Sequence, residues 1–115
     1  MQIPFGVTQL LEALDSLLTQ NPGRAERVRQ VVHKTLTDAC VQRPDGKVFV
    51  LTGDIPAMWL RDSSWQMEPF LYAAKSCEET AAFVAGVSRQ QAEFVLLDPY
   101  ANAFKLDAES KPYKF

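Results

Sequence analysis

The sequence predicts a mostly α-helical chain carrying one small β-hairpin, on three observations. Apolar residues recur at helical spacing over long stretches, Asn21-Pro22-Gly23 cuts the first two stretches apart, and around Val48 the period drops to two behind a Pro-Asp-Gly turn. With 115 residues, 47% of them hydrophobic and 23% charged, the chain fits one ordinary globular domain without internal repeats or low-complexity tracts.

From Val7 to Gln20 the stripe Val7, Leu10, Leu11, Leu14, Leu17 and Leu18 predicts an amphipathic helix, with Thr8 available as its cap. A second helix from about Arg24 to Cys40 repeats the period through Ala25, Val28, Val31, Val32, Leu36 and Ala39. The short turn between the two favours antiparallel neighbours. Over Val41 to Leu51 the alternation of Val48 and Val50 with Lys47 and Phe49, preceded by Pro44-Asp45-Gly46, predicts a β-hairpin. Thr52 to Pro56 reads as an ordered loop, because Gly53 and Pro56 bracket Asp54 and interrupt both regular structures. Ser63 with Gln66 three positions later has capping-box spacing, so a third helix is expected from Ser63 to about Lys75, kinked at Pro69 or starting late with Pro69 in its first turn. Ser76 is expected to cap a fourth helix opened by Glu78 and Glu79 and lined by Ala82, Phe83, Ala85, Val87, Ala92, Phe94, Val95 and Leu96. Asp98-Pro99 ends it, and Tyr100 to Phe115 reads as loop.

Composition narrows the function classes. Twelve Lys and Arg against 14 Asp and Glu, for a net charge of -2, supply no excess of cations for gripping a phosphate backbone, and the uncharged apolar stretches fall short of a membrane span, so neither nucleic acid nor membrane is an expected partner. Cys40 and Cys77 have no second Cys or His at ligand spacing and read as buried free thiols. The start Met1-Gln2-Ile3-Pro4-Phe5 lacks a charged and apolar leader pattern, which makes cytoplasmic the expected location. No phosphate-binding glycine loop, nucleophile elbow or zinc spacing occurs, and no cofactor is expected.

The unusual side chains concentrate between Thr52 and Phe70, which holds Asp54, Trp59, Arg61, Asp62, Ser63, Ser64, Trp65 and Gln66. Aromatic faces stack on the C–H side of a pyranose, and a carboxylate beside a guanidinium can satisfy vicinal hydroxyls in a fixed planar geometry. Plainer readings stand beside this one. Asp54 fits an Asx-turn, Arg61 and Asp62 fit a structural ion pair, and Trp59 and Trp65 fit a core. His33, in the middle of the second helix, fits a surface or satisfied position better than a catalytic one. Asp54 and Asp62 could be a general acid and base, but their spacing alone does not support it.

The run Thr52-Gly53-Asp54-Ile55-Pro56-Ala57-Met58-Trp59-Leu60-Arg61-Asp62-Ser63-Ser64, followed by Gln66 and Pro69-Phe70-Leu71, resembles the signature of glycoside hydrolase family 125, the metal-independent exo-α-1,6-mannosidases. A second run, Asp98-Pro99-Tyr100-Ala101-Asn102-Ala103-Phe104, resembles the family's next signature. The resemblance implies an (α/α)6 toroid of six helical hairpins, of which residues 1–115 would form the N-terminal part of one catalytic domain. It also implies inverting hydrolysis of terminal non-reducing α-1,6-linked mannose by an Asp acid and a Glu base that both lie beyond the two runs. Neither carboxylate has a counterpart in this sequence, so no catalytic residue is expected within it. By the same resemblance Asp54, Trp59, Arg61, Asp62 and Ser63, with Tyr100 and Asn102, belong to the wall of the mannose-binding subsite, and the implied partner is a mannose-containing oligosaccharide. Trp65 and Lys105 depart from the family pattern, which suggests a smaller residue at the first and an uncharged polar one at the second. The alternatives are a catalytically silent helical piece that binds glycan or protein, and another (α/α)6 glycosidase.

Overall fold

The computed structural model describes residues 5–17, 20–53, 55–107 and 111–114. Four helices and one hairpin follow in chain order: α1 (Phe5–Leu17), α2 (Pro22–Lys34) continued by a π-helical turn (Thr35–Ala39), β1 (Cys40–Gln42), β2 (Val48–Val50), α3 (Leu60–Ala74) and α4 (Glu78–Leu97). The expected helices and hairpin are all present, with boundaries that differ for local reasons. Helix α1 begins at Phe5, so Thr8 lies inside it rather than capping it, and the expected Leu18 and Thr19 lie outside the described residues. Pro22 sits in the first turn of α2, where its missing N–H is no loss. The widened turn after Lys34 coincides with two threonines that bond backward, Thr35 Oγ1 to Val31 O at 2.9 Å and Thr37 Oγ1 to His33 O at 2.9 Å.

The capping box expected at Ser63 does not form. Ser63 N donates to Trp59 O at 3.0 Å, which makes Trp59 the N-cap of α3 and puts Ser63 in the helix body, its hydroxyl turned back to Leu60 O at 3.1 Å. The helix then runs through Pro69, which lies on its exposed side. Cys77, not Ser76, caps α4, and Glu78 and Glu79 occupy the first turn as expected, where the helix dipole favours acids. Asp98 N closes the far end on Phe94 O at 3.0 Å.

Strands β1 and β2 pair antiparallel in the register Cys40↔Val50, Val41↔Phe49 and Gln42↔Val48. The alternation of β2 does not alternate exposure: Val48, Phe49 and Val50 are all buried, because the strand is covered on both faces. Its packing against α4 depends on Gly86, where a Cβ would stand 2.4 Å from Gly46 O. The core gathers Val7, Leu36, Cys40, the whole of β2, Met58, Met67, Phe70, Phe83, Val87, Phe94 and Phe104. Phe94 stacks on Phe104 with centroids 4.5 Å apart and meets Phe49 edge-on at 6.0 Å. Phe104 belongs to the stretch read as loop, so that stretch is tied into the core, through bridges Met58↔Phe104 and Ala103↔Tyr113. Among the described residues, no helix is long and apolar enough to cross a membrane.

Candidate functional site

The loop that precedes α3 is closed at its neck by one threonine. Thr52, fully buried, donates its N–H to Ala57 O at 2.9 Å and its hydroxyl to the same carbonyl at 3.2 Å, while Oγ1 accepts from Trp59 N at 2.8 Å. The chain therefore leaves the core at Thr52 and returns beside it at Trp59. Asp54, expected in the subsite wall, lies outside the described residues. An open depression of about 370 Å³, formed mainly by α2 and its π-helical turn, adjoins the loop at Gly53.

At the other end of the loop, Trp59 is half-buried and the Arg61 guanidinium carbon lies 5.9 Å from its ring centroid. Arg61 Nε donates to Asp62 Oδ1 at 3.0 Å, with the two side chains 71% and 42% exposed. The structural ion pair is thus present. An exposed pair of this kind adds little to stability, about 0–1 kcal/mol, and it leaves further guanidinium donors and carboxylate lone pairs facing solvent beside an indole face. Ser63 differs from its neighbours. It is fully buried, and its hydroxyl accepts from Gln91 Nε2 at 2.8 Å, so its side chain faces α4 rather than solvent. Trp65, read as fitting a core, is 68% exposed because it projects from the outer side of α3.

The second signature segment is shaped by an Asx-turn. Asp98 Oδ1 accepts from Tyr100 N at 3.0 Å and Oδ2 pairs with Lys114 Nζ at 2.8 Å. Lys114 first, and then the Tyr100 amide, hold the Asp98 carboxyl below the ordinary aspartate range. The Tyr100 ring is 86% exposed. Asn102 N donates to Tyr113 O at 2.8 Å, and Tyr113 N to Ala103 O at 2.8 Å. Two residues later the segment reaches the first signature: Met58 N donates to Phe104 O at 2.8 Å and Phe104 N to Met58 O at 3.0 Å. This bridge is antiparallel, so the two segments run in opposite directions where they meet. The bridge thereby ties the segment that leads into α3 to the segment that ends at Phe104.

Other candidates fall elsewhere. His33 is exposed on α2, Cys40 is a buried free thiol and Cys77 a half-buried one. Among the described residues no group of three or more His, Cys, Asp and Glu side chains is arranged to hold a metal ion. Residues that sequence reasoning missed are the supports: Thr52 at the loop neck, Gln91 beneath α3, and Tyr113 and Lys114 behind the second segment. Only Thr52 stood inside a recognised motif, and nothing local to the other three signals their contacts.

Three likenesses bear on this geometry. The sequence profile of the metal-independent α-mannosidases, glycoside hydrolase family 125, matches residues 21–114. The meiotically up-regulated gene 157 protein of Schizosaccharomyces pombe is 44% identical over 64 residues, which is 56% of this chain and 13% of the yeast protein. A Streptococcus pneumoniae structure, from work on metal-independent α-mannosidases and N-linked glycan processing, superposes with a TM-score of 0.82 and 37% identity; it is a non-productive substrate complex with α-1,6-mannobiose. That likeness covers 89% of this chain and 24% of the streptococcal one, so the chain spans about a quarter of its solved relative.

Proposed function

The chain belongs to the metal-independent α-mannosidases of glycoside hydrolase family 125, and from that premise we propose that it forms part of the mannose-binding wall of an inverting exo-α-1,6-mannosidase. The observation that carries this reading is the Met58–Phe104 bridge, which joins the two signature segments. In the proposed wall, the faces of Trp59 and Tyr100 stack on the pyranose, and Arg61, Asp62, Asn102 and Asp54 hold its hydroxyls. Ser63 supports the first turn of α3 from below. Such contacts aid catalysis to the extent that they tighten as the ring flattens toward an oxocarbenium-like transition state.

Proton transfer is assigned to groups outside these 115 residues. Inversion needs an acid and a base carboxyl roughly 6.5–9.5 Å apart with a water between, and the acid must hold its proton near neutral pH. Asp98, in the second segment, does not suit the acid's role, since Lys114 shifts it down, the direction opposite to a general acid's.

The test is a titration of the ¹⁵N-labelled chain with α-1,6-mannobiose, followed by amide and indole resonances. Shifts confined to Trp59, Arg61, Asp62, Tyr100 and Asn102, with a Kd of about 1 mM and hence roughly 4 kcal/mol of binding, are expected for a partial wall. No shift up to tens of millimolar sugar, or shifts scattered away from the bridge, would sink the reading.

A further inference from the structure

We propose that Gln90 and Gln91, neighbours on α4, are positioning residues that fix the two signature segments against one another, each tying down one of them. This rests on the reading of those segments as a sugar-binding wall. Successive helical residues point about 100° apart, so two adjacent glutamines can reach different neighbours. Gln91 reaches α3: its Nε2 lies 2.8 Å from Ser63 Oγ, 2.9 Å from Ser64 Oγ and 3.3 Å from Leu60 O. A carbonyl can only accept, so the amide must present its NH2 group to this turn. Both serine hydroxyls already donate to Leu60 O, which leaves their lone pairs for Gln91. The turn held in this way carries Arg61 and Asp62.

Gln90 reaches the other way. Its Oε1 accepts from Arg43 Nη1 at 2.9 Å, and the second Nη of the same guanidinium donates to Leu106 O, just beyond Phe104. A guanidinium can only donate, so here the amide must present its oxygen. Gln90 is fully buried, and among the described residues its Nε2 meets no partner. A half-satisfied amide in the core is a cost that an apolar side chain of similar size would not carry. What the amide supplies in return is an acceptor that orients Arg43, and through it Leu106, two residues beyond the second segment.

The two glutamines therefore use opposite ends of the same functional group, and glutamate, which matches glutamine in size, separates them. Gln90→Glu keeps the acceptor and removes the unpartnered donor. Gln91→Glu replaces the donor with an acceptor facing a carbonyl. The experiment measures hydrogen exchange at the Met58 and Phe104 amides and α-1,6-mannobiose affinity in the 115-residue chain, for both glutamate variants and both leucine variants. Gln90→Leu, Gln91→Leu and Gln91→Glu are expected to speed exchange about tenfold and weaken mannobiose by a similar factor, with Gln90→Glu within about twofold of the parent. Equal behaviour of the two glutamate variants, or unchanged exchange in the leucine variants, would overturn the proposal, as would a general loss of Tm without the glutamate asymmetry. If the parent chain takes up no mannobiose, the sugar-wall reading falls, while exchange at the bridge still decides whether the glutamines position it.

Discussion

Burial sets the chemistry of Cys40. The thiol is 2% exposed in the core, and desolvation of the thiolate pushes its pKa up to about 11 from an ordinary 9.0. An acid whose folded pKa is raised contributes stability that is fully present below the unfolded value and is lost as pH rises through the folded one. The chain is accordingly expected to lose stability between pH 9 and about 11, and Cys40→Ala to remove that part of the pH dependence in urea melts. In native alkylation at pH 8 the half-buried Cys77 should react and Cys40 should not, until denaturant is added. Within the site, Asp62→Ala is expected to weaken mannobiose binding about tenfold or more, by removing a carboxylate that accepts from hydroxyls, with little change in Tm because the Arg61–Asp62 pair is exposed. Unchanged binding would mean that the pair serves only the local surface.

Among the elements, the joint between the hairpin and α4 is the tightest. Gly86→Ala would drive a Cβ to within 2.4 Å of the Gly46 carbonyl, and backbone on both sides must yield, at a cost of about 1–3 kcal/mol in chemical denaturation. Gly23→Ala in the first turn of α2 is the counterpart: nothing lies within 4 Å, so a gain of about 0.4–1 kcal/mol is expected from a less flexible unfolded chain. These elements were largely legible in the sequence, since helix and hairpin follow from periods of 3.6 and two that each segment carries by itself. What escaped were features set by distant partners. Trp59 caps α3 because Thr52 holds its amide, so the Ser63–Gln66 spacing, although correct for a capping box, is never used. Phe104 and Tyr113 are ordered by Met58 and Ala103, far away in the chain, and a polar tail gives no local hint of that. Of the candidate site, only the residue types could be read locally, whereas the bridge between the two segments and the glutamine contacts to α3 depend on tertiary partners.

Across the whole molecule, apolar side chains remain on the surface. Trp65, Leu71, Tyr72, Leu96, Leu97 and Tyr100 are all exposed, and the chain spans about a quarter of the length of its solved relative. The 115-residue chain is therefore expected to self-associate at tens of micromolar. Sedimentation velocity checks this: Trp65→Ser with Tyr72→Ser should shift the population toward monomer, and a parent that is monomeric throughout would contradict it. Under the proposed function the chain is also expected to release no mannose from α-1,6-mannobiose, since that reading assigns proton transfer to other groups; turnover by the purified chain would refute it.

The two tryptophans give the molecule a built-in optical contrast. Trp65 stands in water, 68% exposed, whereas Trp59 is half-buried with a guanidinium 5.9 Å from its ring. One indole should emit at long wavelength and be quenched readily by iodide, the other at shorter wavelength and more slowly. Trp65→Phe would leave Trp59 as the lone emitter, a fluorophore seated at the junction of the two signature segments, so that whatever occupies that junction would report itself as a change of colour.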